Sequence, residues 1–198
     1  MPSRPRARWL WLPLTLLLPL AVQAQPPQPL ELPVETPVTD LLVGLASTGI
    51  EPALQPGQPL RLHYPLRIAA REVALFGWRY SEARQAWRLH TGVDLIADAG
   101  QPVLAMLPGR VVLMREVDGY GLTVLLDHGR GWQSLYAHLL DAAVLVGDAV
   151  RPGQAIGRVG QSGRASTPHL HVELRRKTSS GTLAFDPGSL LTPTEPQP

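Results

Sequence analysis

The sequence predicts an all-β domain, built mainly from antiparallel strands with few short helices. Between about residues 60 and 190, short apolar runs alternate with Gly, Asp and Pro. Turn sequences such as Asp118-Gly119 and Arg151-Pro152-Gly153 separate these runs. No heptad pattern is sustained along the chain. Short apolar runs between turn signals, with little helix, are typical of an all-β domain.

The first element, residues 1–24, has the composition of a secretory signal peptide. Arg4, Arg6 and Arg8 precede an apolar stretch, and Val22 and Ala24 supply small residues at −3 and −1 of a cleavage point. Two prolines interrupt the apolar stretch, which is short for a membrane span of about 20 residues. We therefore expect export to the periplasm or cell envelope, with no stable membrane anchor after cleavage. The absence of Cys excludes a lipoprotein anchor.

Charge and cysteine content narrow the function classes further. Three of the 18 basic residues lie in the leader and none of the 16 acidic ones does, so the remainder has a net charge of −1. This balance gives no basis for nucleic-acid binding. Without Cys, an exported domain must fold by core burial alone, with help from a metal ion as one option.

The rest of the chain divides by composition. A Pro-rich linker over residues 25–38 precedes an N-terminal segment of unknown role, residues 39–64, with a short helix after Thr39 or Asp40. The main domain covers residues 65–188, and a flexible tail covers 189–198. The predicted strands are residues 92–96, 110–115, 122–127, 132–139, 155–159 and 169–174.

His169 and His171 form the most informative pair in the sequence. In a strand, residues i and i+2 face the same side, about 6.5–7 Å apart. Two imidazoles so placed can share a metal ion, or one can bind it while the other acts on the metal's water. Zinc takes N, O or S ligands, and without Cys only His and carboxylates remain.

His90 and Asp94 are a second candidate ligand pair. In a straight strand they would lie about 13 Å apart, too far to share an ion. Gly92 lies between them and can bend the chain, because it tolerates backbone angles that other residues do not. His138, on the face opposite Ala137 by strand alternation, is either a core histidine at a strand end or a site residue.

The order His90-x-x-x-Asp94, Tyr136-Ala137-His138-Leu139 and His169-Leu170-His171 resembles the lysostaphin/LytM-type zinc metallopeptidases. Phe76-Gly77-Trp78-Arg79 is similar to the motif that opens the family's domain, and Asp186-Pro187 is similar to the motif that closes it. The resemblance covers roughly residues 65 to 188. It implies a peptidoglycan endopeptidase with a β-sheet fold.

The resemblance implies a role for each matching residue. His90, Asp94 and His171 would hold one Zn²⁺ per chain, and His138 and His169 would face the metal-bound water and the substrate. Three protein ligands leave the fourth zinc position for water, as in catalytic sites. Zinc lowers the pKa of that water from 15.7 to about 7, which makes it the nucleophile at neutral pH. Tyr136 and Arg79 are candidate substrate contacts.

We expect an exported zinc metalloendopeptidase that hydrolyses peptide amides in the stem or cross-link of peptidoglycan, with a protein activator as a further option. The alternative is a non-catalytic LytM-like regulator of a cell-wall amidase. Such regulators usually lack zinc ligands, whereas all five positions are filled here. A latent enzyme, its zinc covered by His63 or by part of the N-terminal segment, is a third option. His128, in a Gly-flanked turn, is expected to be solvated.

Overall fold

The computed structural model describes residues 60–82 and 85–193, which form twelve strands and one short 3-10 helix. The predicted leader, linker and Thr39 helix lie outside the described residues. In chain order the strands are β1 (Glu72–Ala74), β2 (Gly77–Ser81), β3 (Ala86–His90), β4 (Val93–Ile96), β5 (Pro102–Leu104), β6 (Gly109–Val117), β7 (Gly121–Asp127), β8 (Trp132–Ala142), β9 (Ala149–Val150), β10 (Ala155–Val159), β11 (His169–Thr178) and β12 (Gly181–Phe185). The 3-10 helix is Gly188–Leu190.

Ten of these strands form one sheet, with the order β1-β4-β11-β8-β7-β6-β9. Strand β12 pairs with β11, and β10 pairs with both β5 and β8. Strands β2 and β3 form a separate hairpin sheet. Every strand pairing in the described ranges is antiparallel, which confirms the predicted fold class. The central strand β11 lies between β4 and β8, so residues of these three strands share one sheet face.

Strand alternation separates the two faces of the large sheet. On one face, Val93 of β4, Val172 of β11 and Tyr136 of β8 are buried in the main core with Leu66 and Ile156. On the other face, Leu135 and Ala137 belong to a smaller buried cluster. Asp94 and His171 lie on the second face, because they alternate with Val93 and Val172. The polar residues of β4 and β11 therefore gather on the face opposite the main core.

A β-bulge in β8 changes the face to which His138 points. Leu122 of β7 pairs with Leu139 of β8, and Val124 pairs with Tyr136. The chain therefore advances three residues along β8 where it advances two along β7. His138 lies in this bulge with a φ of 59°, a conformation uncommon for residues other than glycine. The bulge turns His138 to the face of Ala137 and His171, so the prediction of opposite faces, which assumed regular alternation, is wrong.

All six predicted strands are present, and β10 has the predicted bounds. The sequence pattern did not predict β1, β2, β3, β5, β9 and β12, most of which are short. The described residues contain no helix that is both long and apolar enough to cross a membrane.

Candidate metal centre

Three potential ligand atoms meet on the polar face of the large sheet. Asp94 Oδ1 lies 2.7 Å from His171 Nδ1 and 3.0 Å from His90 Nε2, and the two histidine nitrogens are 3.2 Å apart. Asp94 and His171 are paired across β4 and β11, whereas His90 is the last residue of β3 in the separate hairpin. The two sheets therefore supply the ligand cluster jointly.

Gly92 lies in the two-residue link between β3 and β4 and permits this convergence. A Cβ atom at this position would lie 2.2 Å from the Val172 carbonyl oxygen and 2.9 Å from His171 Cε1. The prediction that the chain bends between His90 and Asp94 is confirmed. Its stated reason is wrong, because Gly92 does not have a positive φ. Glycine is needed here for space, since the backbone of β11 passes directly over it.

The cluster fits a metal ion. Ligand atoms about 2.0–2.1 Å from a tetrahedral zinc ion are separated by roughly 3.3–3.4 Å. The separation of 3.2 Å between the two histidine nitrogens is close to this value, and the two separations from Asp94 Oδ1, 3.0 and 2.7 Å, are shorter. Leu75 O accepts the Nδ1–H of His90 at 2.8 Å, which leaves Nε2 free as a ligand atom. Two imidazoles and one carboxylate form a donor set that zinc accepts, and the pocket leaves room for further groups.

His138 and His169 lie beside the cluster, with ring centroids 4.6 Å apart. His138 donates its Nδ1–H to Ser162 O, and His169 donates its Nδ1–H to Thr167 O, each at 2.8 Å. A carbonyl oxygen can only accept, so the second nitrogen, Nε2, of each ring is unprotonated in the neutral form. His169 Nε2 lies 3.7 Å from Asp94 Oδ1. Both imidazoles thus have an unprotonated nitrogen available as a proton acceptor in the pocket that contains the ligand atoms.

The cluster is electrostatically coupled. Burial alone would raise the pKa of Asp94, but hydrogen bonds from His171 and His90 outweigh it and hold this pKa well below its usual range. Burial alone would lower the pKa of His171, but hydrogen bonds to Asp94 and Glu173 raise it to about 9. In the metal-free protein at neutral pH, a protonated His171 therefore compensates the carboxylate.

The pKa of His138 is shifted in the opposite direction to that of His171. Burial, together with the nearby His169 and His171, lowers the pKa of His138 to about 4, against a hydrogen bond to Ser162 O that raises it. His138 is therefore neutral across the physiological range and available to accept a proton.

An open pocket of about 350 Å³ is lined by all five residues predicted as metal ligands or catalytic groups, four histidines and the carboxylate of Asp94. Residues that the sequence pattern did not single out also line it, among them Thr91, Tyr120 and Arg164. Arg164 pairs with Asp118 at 3.0 Å on the pocket rim. Below the pocket, Glu173 accepts hydrogen bonds from His171, Thr91 and Tyr120. Strand alternation could have placed Glu173 at this site, because Glu173 follows His169 and His171 at the same spacing of two residues.

Tyr136 does not line this pocket. It is fully buried in the main core, where its hydroxyl accepts the Met106 N–H at 2.7 Å. The inference that Tyr136 shares a face with His138 is wrong because the bulge at His138 separates them. Arg79 is half exposed, and its Nη1 lies 3.9 Å from Asp94 Oδ2. It forms a surface ion pair next to the ligand cluster.

Two further histidines lie outside the pocket. His128 was expected to be solvated, but it is fully buried and bonds to Pro108 O and the Ser134 hydroxyl, each at 2.8 Å. Burial lowers its pKa. His63 bonds to Tyr64 O and packs against Gly153. It therefore does not cover the pocket, and residues 39–59, the other candidate cover, lie outside the described residues.

The sequence and the fold are similar to those of known proteins. The model for peptidase family M23 matches residues 88–183. The DD-carboxypeptidase/endopeptidase Mpg of Neisseria meningitidis is 43% identical over 100 residues, 50% of this chain and 23% of that protein. The murein hydrolase activator EnvC of Escherichia coli is 42% identical over 99 residues, 50% of this chain and 24% of that protein. The chain spans about a quarter of the length of these curated relatives.

A solved structure matches over most of its own length. The catalytic domain of lysostaphin from Staphylococcus simulans has 30% identity and a TM-score of 0.53, covering 61% of this chain and 91% of that one. Fold and site together define an antiparallel β-sheet protein of the lysostaphin type, with three potential metal ligands that meet over one face of the large sheet. The chain belongs to peptidase family M23.

Proposed function

We propose that this protein is an exported zinc metalloendopeptidase that hydrolyses peptide amide bonds in the stem or cross-link of peptidoglycan. The observation that carries the proposal is the convergence of two proton-accepting imidazoles, His138 and His169, on the pocket that contains the ligand cluster. A purely structural metal site has no use for two further histidines directed at the same space. The similarity to the DD-carboxypeptidase/endopeptidase Mpg and to lysostaphin supports a peptidase, and the predicted leader supports export to the periplasm.

In this proposal, His90 Nε2, Asp94 Oδ1 and His171 Nδ1 hold one zinc ion. When bound, zinc supplies a Lewis acid that polarises the scissile carbonyl and lowers the pKa of a coordinated water to about 7. Asp94 stays ionised at neutral pH, because its histidine partners lower its pKa. It therefore compensates part of the metal's charge, whereas His90 and His171 coordinate as neutral ligands.

His138 and His169 move the protons. Both present Nε2 to the pocket, since their Nδ1 atoms are held by Ser162 O and Thr167 O. One imidazole accepts the proton of the attacking water on Nε2 and then delivers that proton to the leaving amine. The other imidazole would hydrogen-bond the developing oxyanion in the form that carries a proton on Nε2. The fixed Nδ1 bonds orient both rings before substrate arrives, so the side chains need little reorganisation during the reaction.

The substrate groups that flank the scissile bond meet the pocket rim. Arg164 lies in an exposed ion pair with Asp118, and Arg79 is half exposed with its Nη1 3.9 Å from Oδ2 of the partly buried Asp94. An exposed pair contributes typically about 0–1 kcal/mol, and 3.9 Å is a long separation for an ion pair, so either guanidinium can turn to a carboxylate of a peptidoglycan stem peptide. We propose Arg79 as a substrate contact on this ground.

The test combines metal content with product analysis. The purified full-length protein should bind about one zinc per chain by elemental analysis and release new muropeptides from purified sacculi. His169→Ala should keep its zinc and lose at least about 100-fold in rate, the usual contribution of a general acid or base. His63→Ala is the matched control, because His63 lies outside the pocket, and it should leave both readouts unchanged. Zinc-free, inactive protein would refute the enzyme proposal.

The likeness to EnvC supports a second candidate, a non-catalytic activator of a cell-wall amidase. The complete set of five site residues favours the enzyme instead. The two candidates separate when sacculi are incubated with this protein alone or together with a purified amidase. Products that require the amidase, and that His169→Ala still stimulates, would establish the activator and exclude the peptidase.

A further inference from the structure

The four histidines of the pocket are not held in the same way. His90, His138 and His169 each donate Nδ1–H to a backbone carbonyl at 2.8 Å, with Leu75, Ser162 and Thr167 as the respective acceptors. His171 has the reverse orientation. Its Nδ1 faces Asp94 Oδ1 at 2.7 Å, and its Nε2 faces the carboxylate oxygen Oε1 of Glu173 at 2.9 Å. Each ring has one nitrogen that is turned away from the ligand cluster. Among the described residues, only His171 of these four histidines has a carboxylate as the partner of that nitrogen.

The Glu173 carboxylate is fixed from several sides. It is fully buried. Its Oε1 accepts the Thr91 hydroxyl at 2.7 Å and the Tyr120 hydroxyl at 2.9 Å. Its Oε2 accepts a hydrogen bond from Arg175 Nε, and Arg175 Nη2 also donates to the Tyr120 oxygen at 3.1 Å. These bonds reach both carboxylate oxygens, and Tyr120 and Arg175 are also bonded to each other, so the carboxylate is held against rotation away from His171.

We infer that Glu173 is a positioning residue that selects Nδ1 of His171 as the metal-ligating nitrogen, by accepting the Nε2–H on the far side of the ring. This inference rests on the proposed zinc function. Carboxylates that accept the outer N–H of a ligand imidazole fix its tautomer and ring plane and raise its strength as a ligand. Thr91, Tyr120 and Arg175 act through Glu173 in this arrangement, and the Tyr120 ring also contacts the His171 ring, with centroids 5.7 Å apart.

The competing explanation is that Glu173 and Arg175 form a structural ion pair and nothing more. A buried ion pair often exchanges for apolar residues of similar size without loss of stability, whereas removing one partner leaves an uncompensated charge. Glu173→Met combined with Arg175→Met therefore removes both charges and the acceptor for His171 while it preserves volume. A structural role predicts normal zinc affinity in this double variant, and a positioning role predicts weakened affinity.

The experiment measures zinc affinity of the full-length protein by competition with a chromophoric chelator, with thermal melting of each variant in parallel. The double Met variant should bind zinc about 10–100-fold more weakly than the wild type, the usual effect of losing such an acceptor. Glu173→Gln with Arg175→Met restores a carbonyl acceptor for Nε2–H, and it should recover most of the affinity. Tyr136→Phe is the control for lost stability alone, because it leaves the His171 contacts intact, and its zinc affinity should equal that of the wild type.

Wild-type affinity in a folded double Met variant would overturn the inference, as would a Gln variant that recovers nothing. Should the double Met variant not fold, Thr91→Val decides the question, because it removes one hydrogen bond to Oε1 at nearly constant volume. It should weaken zinc binding several-fold, and unchanged affinity would overturn the inference. Failure of the wild-type protein to bind zinc would instead contradict the proposed function, so the two failures are distinguishable.

Discussion

Asp94 and His171 are direct cross-strand partners on β4 and β11, and the carboxylate Oδ1 lies 2.7 Å from the imidazole Nδ1 although 77 residues separate them. On the opposite face of the same two strands, Val93 and Val172 form the corresponding pair and are completely buried in the main core. The apolar pair therefore fixes the strand register that brings the polar pair together. This register positions two of the three ligand atoms, those of Asp94 and His171, and the hairpin supplies the third, that of His90.

This relationship predicts the outcome of Asp94→Ala. Loss of the carboxylate removes one ligand, so zinc affinity should fall by more than about 100-fold, beyond the effect of losing an outer hydrogen-bond partner. The fold should persist, because the register depends on the apolar pair on the other face. Competition with a chelator measures the first effect, and circular dichroism during thermal melting measures the second.

Asp98→Ala is the matched control for Asp94→Ala. Asp98 is an exposed carboxylate that pairs with Arg71, and it does not line the pocket. Its removal should change neither zinc content nor melting temperature by a measurable amount. Global unfolding of Asp94→Ala, with Asp98→Ala intact, would show that the cluster is required for folding.

The raised pKa of His171 predicts a pH-dependent zinc affinity. In the metal-free protein, hydrogen bonds to Asp94 and Glu173 outweigh burial and raise this pKa to about 9. Zinc must displace the proton from Nδ1 below that pH, so apparent affinity should fall by up to about tenfold for each pH unit below about 9. Asp94 adds no dependence in this range, because its pKa is lowered and it stays ionised.

The raised pKa of His171 also makes the stability of the metal-free protein depend on pH. The folded pKa of about 9 exceeds the ordinary histidine value of 6.5. The folded state therefore binds more protons than the unfolded state between these values, and His171 contributes stability that is lost as the pH rises from 6.5 through 9. Nitrogen-15 NMR of the metal-free protein reads the protonation of His171 directly. A neutral His171 ring at pH 7 would contradict both expectations.

Local patterns predicted much of this arrangement. The alternation of His169 and His171 with Leu170 and Val172 predicted strand β11 and the shared face of the two imidazoles, and both are present. The spacing of His90 and Asp94 around Gly92 predicted a bend, which the structure contains. These features depend on residues within a few positions of one another, where the period of a strand and the size of glycine determine the local geometry.

Features that depend on distant contacts were not predictable. The bulge at His138 arises from the pairing of β8 with β7, and no residue type in Tyr136-Ala137-His138 marks it. His128 lies in a turn signal, yet it is buried and bonded to the Pro108 carbonyl, 20 residues away, as well as to the nearby Ser134 hydroxyl. Arg175 carries a charge that would ordinarily indicate a surface position, and its contacts with Glu173 and Tyr120 permit its burial.

The close approach of Gly92 to β11 predicts that Gly92→Ala disrupts both the fold and the metal centre. The added Cβ would lie 2.2 Å from Val172 O and 2.9 Å from His171 Cε1, so β11 must shift away from β4. Overpacking of this kind costs about 1–3 kcal/mol, and zinc affinity should fall with it. Gly188→Ala is a suitable control, since its Cβ would meet only Asp186 and Val93 at 3.0 and 3.7 Å. Equal stability and zinc binding in the two variants would contradict the packing argument.

The burial of Tyr136 predicts that Tyr136→Phe lowers stability and leaves the chemistry intact. Its hydroxyl accepts the Met106 N–H at 2.7 Å and lies 3.0 Å from the Ser134 hydroxyl in the main core. Loss of this oxygen leaves a buried N–H without an acceptor, which should reduce the free energy of unfolding by about 1–3 kcal/mol. Zinc content and the rate of sacculus digestion should match the wild type. Tyr80→Phe is the control, because that hydroxyl bonds to Gln85 in an exposed hairpin and should change stability little. A Tyr136→Phe protein of normal stability but reduced kcat/KM would instead indicate that Tyr136 contacts the substrate.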